Sequence, residues 1–86
     1  MFLTMTKIYK FQEDIDTASL AKLEKFKEIG VDTEATGLKI PHFDKLSLIQ
    51  LSGKNDEVYI VQPERKNYNC PNLVKLFENN NILFIF

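Results

Sequence analysis

Asp32 and Glu34 are the residues of this chain whose type and spacing best suit chemistry. They stand two apart in Ile29-Gly30-Val31-Asp32-Thr33-Glu34-Ala35-Thr36-Gly37-Leu38, an apolar run that passes into a glycine-containing turn. Side chains of an extended segment alternate between faces, so the two carboxylates project from one face while Val31, Thr33 and Ala35 take the other. Hard divalent cations such as Mg2+ and Mn2+ prefer oxygen ligands, and a cation between neighbouring carboxylates relieves their repulsion. Asp-x-Glu on a half-exposed strand is also an ordinary solvated face. The flanks separate the two readings: these acids close an apolar strand, where loops and function gather.

The elements that hold the pair belong to one small domain spanning residues 1–86, in which every element contributes much of the core. A net charge of −1 gives no basic footprint of the kind that grips nucleic acid through phosphates alone, and leaves metal-mediated phosphate contact as the compatible route. The single Cys70 excludes an internal disulfide and has no Cys or clustered His partners for zinc, so it reads as structural and suits a reducing compartment. The start, Met1-Phe2-Leu3-Thr4-Met5-Thr6-Lys7, is too poor in apolar residues for a signal-peptide core, and no stretch approaches transmembrane length. A cytoplasmic protein without a membrane partner is expected.

The pattern along the chain mixes helix and strand. Lys7 to Phe11 reads as a short extended segment, after which Asp14 or Asp16 caps a helix running to about Glu28, with Leu20, Leu23, Phe26 and Ile29 at three-residue steps. Gly30 is expected to end that helix and lead into a strand from Val31 to Ala35. A loop from Thr36 to Asp44 precedes a strand over Lys45 to Ser52, in which Leu46, Leu48 and Gln50 face one way and Ser47, Ile49 and Leu51 the other. Apolar residues on both sides predict a central strand covered on two faces. Gly53-Lys54-Asn55-Asp56 turns it into a hairpin with Glu57 to Val61. Pro71 suits the first turn of a helix carrying Leu73, Val74, Leu76 and Phe77, which Asn79-Asn80-Asn81 stops.

Ile82-Leu83-Phe84-Ile85-Phe86 is an apolar strand with no polar side, which calls for cover on both faces. Such an edge is a template for pairing, so self-association is expected, and Phe84→Lys is expected to relieve it.

Taken in order, the helix, the run from Gly30 to Leu38 with its Asp-Thr-Glu, Lys45-Leu-Ser-Leu-Ile-Gln-Leu51 and Val58-Tyr-Ile-Val-Gln-Pro63 resemble the amino-terminal half of ribonuclease D and its DEDD-type 3′–5′ exonuclease relatives. The resemblance runs from Ile8 onward. It implies an α/β, partial ribonuclease H-like fold: three antiparallel strands, a helix, then a fourth strand parallel to the first. It also implies two-metal phosphodiester hydrolysis at the 3′ end of a single-stranded RNA, with two Mg2+ or Mn2+ ions in the complete family site. By the same resemblance Asp32 and Glu34 are catalytic and metal-binding, Leu38 packs on the terminal base, and Ala35 and Thr36 lie near the terminal sugar.

The chain departs from that family beyond its last strand. A His/Asn-x-x-x-Phe-Asp run carrying the third carboxylate, a fourth aspartate, and a Tyr or His that positions the attacking water are not among these 86 residues, and Phe84 stands where relatives often carry a lysine. A truncated exonuclease, inactive alone, is one expectation, with a separate chain as the source of the missing half. The other is a noncatalytic remnant that pairs through its unfinished sheet edge. Elsewhere, His42 reads as a loop residue, Lys39 and Lys45 as a solvated rim that could meet a nucleic-acid backbone, Arg65-Lys66 as a surface pair, and Tyr59 and Phe77 as core.

Overall fold

The computed structural model describes residues 6–35, 46–53, 56–64 and 66–86. In chain order the elements are β1 Lys7–Glu13, α1 Thr17–Leu23, β2 Glu28–Ala35, β3 Leu46–Ser52, β4 Glu57–Pro63, α2 Pro71–Phe77 and β5 Leu83–Ile85. The strands make one sheet in the order β1-β4-β3-β2-β5. β3 runs antiparallel to both β2 and β4, β5 is parallel to β2, and β1 is parallel to β4. The three antiparallel strands followed by a fourth parallel to the first are therefore present. β1 adds a fifth strand at the far edge, longer than the short extended segment expected there.

Two connections, β1-α1-β2 and β4-α2-β5, join parallel strands, and both step the same way across the sheet. Crossovers of this kind share one hand, so both helices fall on the same face, where they touch each other. Beneath them lie Ile29 and Val31 of β2, Ile49 and Leu51 of β3, and Tyr59 and Val61 of β4, against Leu20, Leu23, Leu73 and Leu76 from the helices. The opposite face is bare among the described residues. β3 is central, as expected, but it is covered on one side only: Ile49 and Leu51 are buried, while Leu48 and Gln50 are exposed.

α1 stops at Leu23 rather than near Glu28. The three-residue steps of Leu20, Leu23, Phe26 and Ile29 suit a helix, but β5 pairs Leu83, Phe84 and Ile85 with Glu28, Ile29 and Gly30, which draws those residues into β2. Ile29 then reaches the core by strand alternation with Val31. Gly30 is accordingly a mid-strand residue paired with Ser52 and Ile85, not a helix terminus. Phe26 lies over Gly53 after β3, where a β-carbon would come within 2.7 Å of the ring.

Both candidate caps are used, on different helices. The Asp16 carboxylate accepts the Ser19 amide at 2.8 Å and caps α1; hydrogen bonds from Ser19 hold its carboxyl below the usual range. Asp14 instead accepts the Asn72 and Leu73 amides of α2 at 2.8 and 3.0 Å, supplying the cap that Cys70 at its N-terminus does not. At the β1 edge, Tyr59 is 1% exposed and its hydroxyl donates to Glu57 at 3.0 Å, while Tyr9 stacks on its ring at 5.2 Å. Burial and then the Glu57 carboxylate push the Tyr59 phenol up to about 12. Tyr59 and Phe77 are core and near-core residues, as read from the sequence.

Phe84 faces the helices, where its ring meets Phe77 at 5.0 Å, so it is not the residue that makes the edge sticky. Its neighbours Leu83 and Ile85 point to the bare face and are 60% and 50% exposed. Leu83→Lys or Ile85→Lys is therefore expected to reduce self-association in light scattering with little change in melting temperature. Phe84→Lys is expected to lower stability by roughly 2 to 4 kcal/mol through lost packing. Equal stability for all three variants would contradict this assignment of faces.

Candidate active site

The strand pairing decides what surrounds the acid pair. In β2 the buried Ile29 and Val31 alternate with Gly30 and Asp32, and Glu34 continues the second row onto the bare face. Across β3 the partners of Gly30, Asp32 and Glu34 are Ser52, Gln50 and Leu48. Beyond Glu34 the register shifts, so that Ala35 pairs with Leu46 and β3 carries one extra residue, Ser47. A bulge of this kind bends the strand and re-aims what lies beside it.

Two shallow depressions flank Asp32. One is lined by Asp32, Thr33, Glu34, Leu48, Gln50 and Ile60; the other by Gly30, Val31, Asp32, Gln50, Ser52 and Ile85. Gly30 keeps the second one open, since a β-carbon there would sit 3.2 Å from the Ser52 hydroxyl. Both acids are exposed, so a ligand from solvent can reach them. Their oxygen donors fit a hard divalent cation. Among the described residues no third His, Cys, Asp or Glu joins them to make a metal-holding group.

The structure thus brings Asp32 and Glu34 to one face and adds Gln50, which alternation had placed on its strand face without naming the neighbour opposite. Hairpin counting alone could not supply that neighbour, because ten residues of sequence, 36–45, separate β2 from β3. Ala35 is the last residue of β2. Thr36, Leu38, Lys39, His42 and Lys45 lie outside the described residues. Cys70 is buried and free, its thiol donating to the Tyr68 carbonyl, and burial pushes it up from its ordinary range, as suits a structural cysteine. No helix among the described residues is long and apolar enough to cross a membrane.

The chain is similar to solved nucleases. NrnC of Brucella melitensis bound to pGG is 29% identical and superposes with a TM-score of 0.77 over 95% of this chain and 38% of that one. The same organism's NrnC with bound Mg2+ is 30% identical, with a TM-score of 0.76 over 94% of this chain and 38% of that one. A structure described as the apo form of the nuclease is 28% identical, with a TM-score of 0.78 over 95% and 38%. The chain therefore spans 38% of the length of these structures, and the fold is α/β and partially ribonuclease H-like. No curated protein matches it. The 3′–5′ exonuclease family model matches residues 9–86, which takes in β1 from Tyr9 onward, the other four strands, both helices and the acid pair, and the chain belongs to that family.

Proposed function

We propose that this chain supplies the first acidic segment of a 3′–5′ exonuclease site acting on the 3′ end of RNA. The observation that carries the reading is the exposure of Asp32 and Glu34 on one face of β2, inside the segment that matches the exonuclease family. Asp32 and Glu34 would hold divalent cations, Mg2+ or Mn2+, whose chemistry when bound is to stabilise negative charge on a phosphoryl group and lower the pKa of water. The chain's own residues hold the carboxylates in register through the β2-β3 ladder, and among the described residues nothing covers the face they stand on. Ala35, Thr36 and Leu38 come directly after the pair and are the proposed contacts to the terminal nucleotide.

Two acids are too few ligands for two ions, so the remaining carboxylates are proposed to come from sequence outside these 86 residues, in the same chain or a separate one. The bare apolar face around the site is the surface such a segment would cover. Its exposed Leu83 and Ile85 also favour the second reading, a noncatalytic module that pairs through this face. A buried free cysteine supports a reducing compartment such as the cytoplasm.

Calorimetric titration tests the acid pair. Mn2+ is expected to bind the 86-residue chain weakly, and Asp32→Asn to remove the binding. Tight stoichiometric binding that survives Asp32→Asn would show that Asp32 is not the ligand.

A further inference from the structure

We infer that Gln50 is a positioning residue for Asp32: when a cation is bound, its side-chain amide donates a hydrogen bond that orients the carboxylate toward that cation. The inference rests on the reading of Asp32 and Glu34 as metal ligands and adds a third member that holds no metal itself. Its basis is register and not a contact already made, since the two side chains are not hydrogen-bonded to each other in the structure. Asp32 and Gln50 are direct partners across the antiparallel β2-β3 pair, and both side chains stand on the bare face. Side chains so placed have β-carbons about 4.5 to 5.5 Å apart, within reach of one hydrogen bond between a carboxamide and a carboxylate.

Among the described residues Gln50 has few other uses. On its other side its partner is Ile60 of β4, and along its own strand face its neighbours are Leu48 and Ser52. Asp32 and Gln50 also line both depressions beside the acid pair, so together they form the ridge between them. A glutamine has little to gain by packing there, whereas its neutral amide can satisfy one carboxylate oxygen and leave lone pairs free for a cation. Because the amide adds no charge, it fixes geometry without competing with the cation. A fixed first ligand matters more here than in a closed site, since Asp32 is exposed and otherwise free to rotate.

Partners of this kind typically affect metal affinity by ten- to a hundredfold when removed. The test is an NMR titration of the labelled 86-residue chain with substoichiometric Mn2+, whose paramagnetic broadening reports even weak sites. Broadening is expected at the backbone amides of residues 32 to 34 and at the Gln50 side-chain amide, with all of it lost in Asp32→Asn. Gln50→Leu, and independently Gln50→Thr, which keeps a polar group too short to reach, are expected to weaken Mn2+ binding about tenfold. The backbone spectrum of the sheet should remain unchanged in both. Affinities within twofold of the parent in both variants, with Asp32→Asn still abolishing binding, would overturn the Gln50 role and leave the metal reading intact. Broadening that survives Asp32→Asn would overturn the metal reading, and the Gln50 role with it.

Discussion

Combined with a polypeptide that supplies the later carboxylates of the family, the chain is expected to trim a labelled RNA stepwise from its 3′ end, and Asp32→Ala or Glu34→Ala to abolish the trimming. The loss should be about a hundred- to a thousandfold or more for either substitution, the scale seen when one group that stabilises transition-state charge is removed. The chain alone should be inactive, because its described residues bring together only two acids where two ions need about four. Gel analysis of time courses with Mg2+ or Mn2+ checks both statements. Metal-dependent trimming by the 86-residue chain alone, lost on either substitution, would refute the dependence on a second segment while supporting the acid pair. Failure of any complementing segment to confer activity would favour the noncatalytic module.

Asp14→Ala is expected to cost about 2 to 3 kcal/mol of folding stability, a large effect for a residue far from the acid pair. Its carboxylate accepts three amides, those of Ile15, Asn72 and Leu73, between 2.8 and 3.0 Å. Two of them open α2, whose own N-terminal residue Cys70 provides no side-chain cap. Hydrogen bonds to a charged group are worth roughly 1.5 to 3 kcal/mol, and loss of an N-cap alone roughly 0.5 to 2. Glu13, in the left-handed region at φ 75°, makes the turn that presents Asp14 to α2. The consequence reaches the site, because α2 leads into β5, and β5 pairs with the start of the strand that carries Asp32. Chemical denaturation of Asp14→Ala beside Asp14→Asn, which keeps one acceptor oxygen, checks this. A midpoint unchanged in Asp14→Ala would show that water satisfies the α2 amides equally well.

Much of the fold could be read locally. The alternation of β2 put Asp32 and Glu34 on one side, the Gly53 turn announced the β3-β4 hairpin, and Pro71 marked the first turn of α2. Each of those signals is complete within a few residues, because strand period, turn chemistry and the fixed φ of proline act over that distance. The same locality explains where the reading failed. Leu20, Leu23, Phe26 and Ile29 fit a helix as well as anything nearby, and only β5, more than fifty residues on, claims Glu28 and Ile29 for the sheet. Phe84 looked like part of a uniformly apolar strand until its pairing with Ile29 turned it toward Phe77.

The sequence by itself determined the chemistry available to this protein: two carboxylates on one strand face, no zinc set, no disulfide, and alternating helix and strand. Tertiary structure decided which groups meet. It gave Asp14 to a helix 58 residues away, set Gln50 beside Asp32, and put both helices on one face so that the acid pair stands on the other. The physical reason is that periodicity and turn propensity select the shape of a segment, whereas its partners are set by register and crossover hand, which exist only once distant segments have paired.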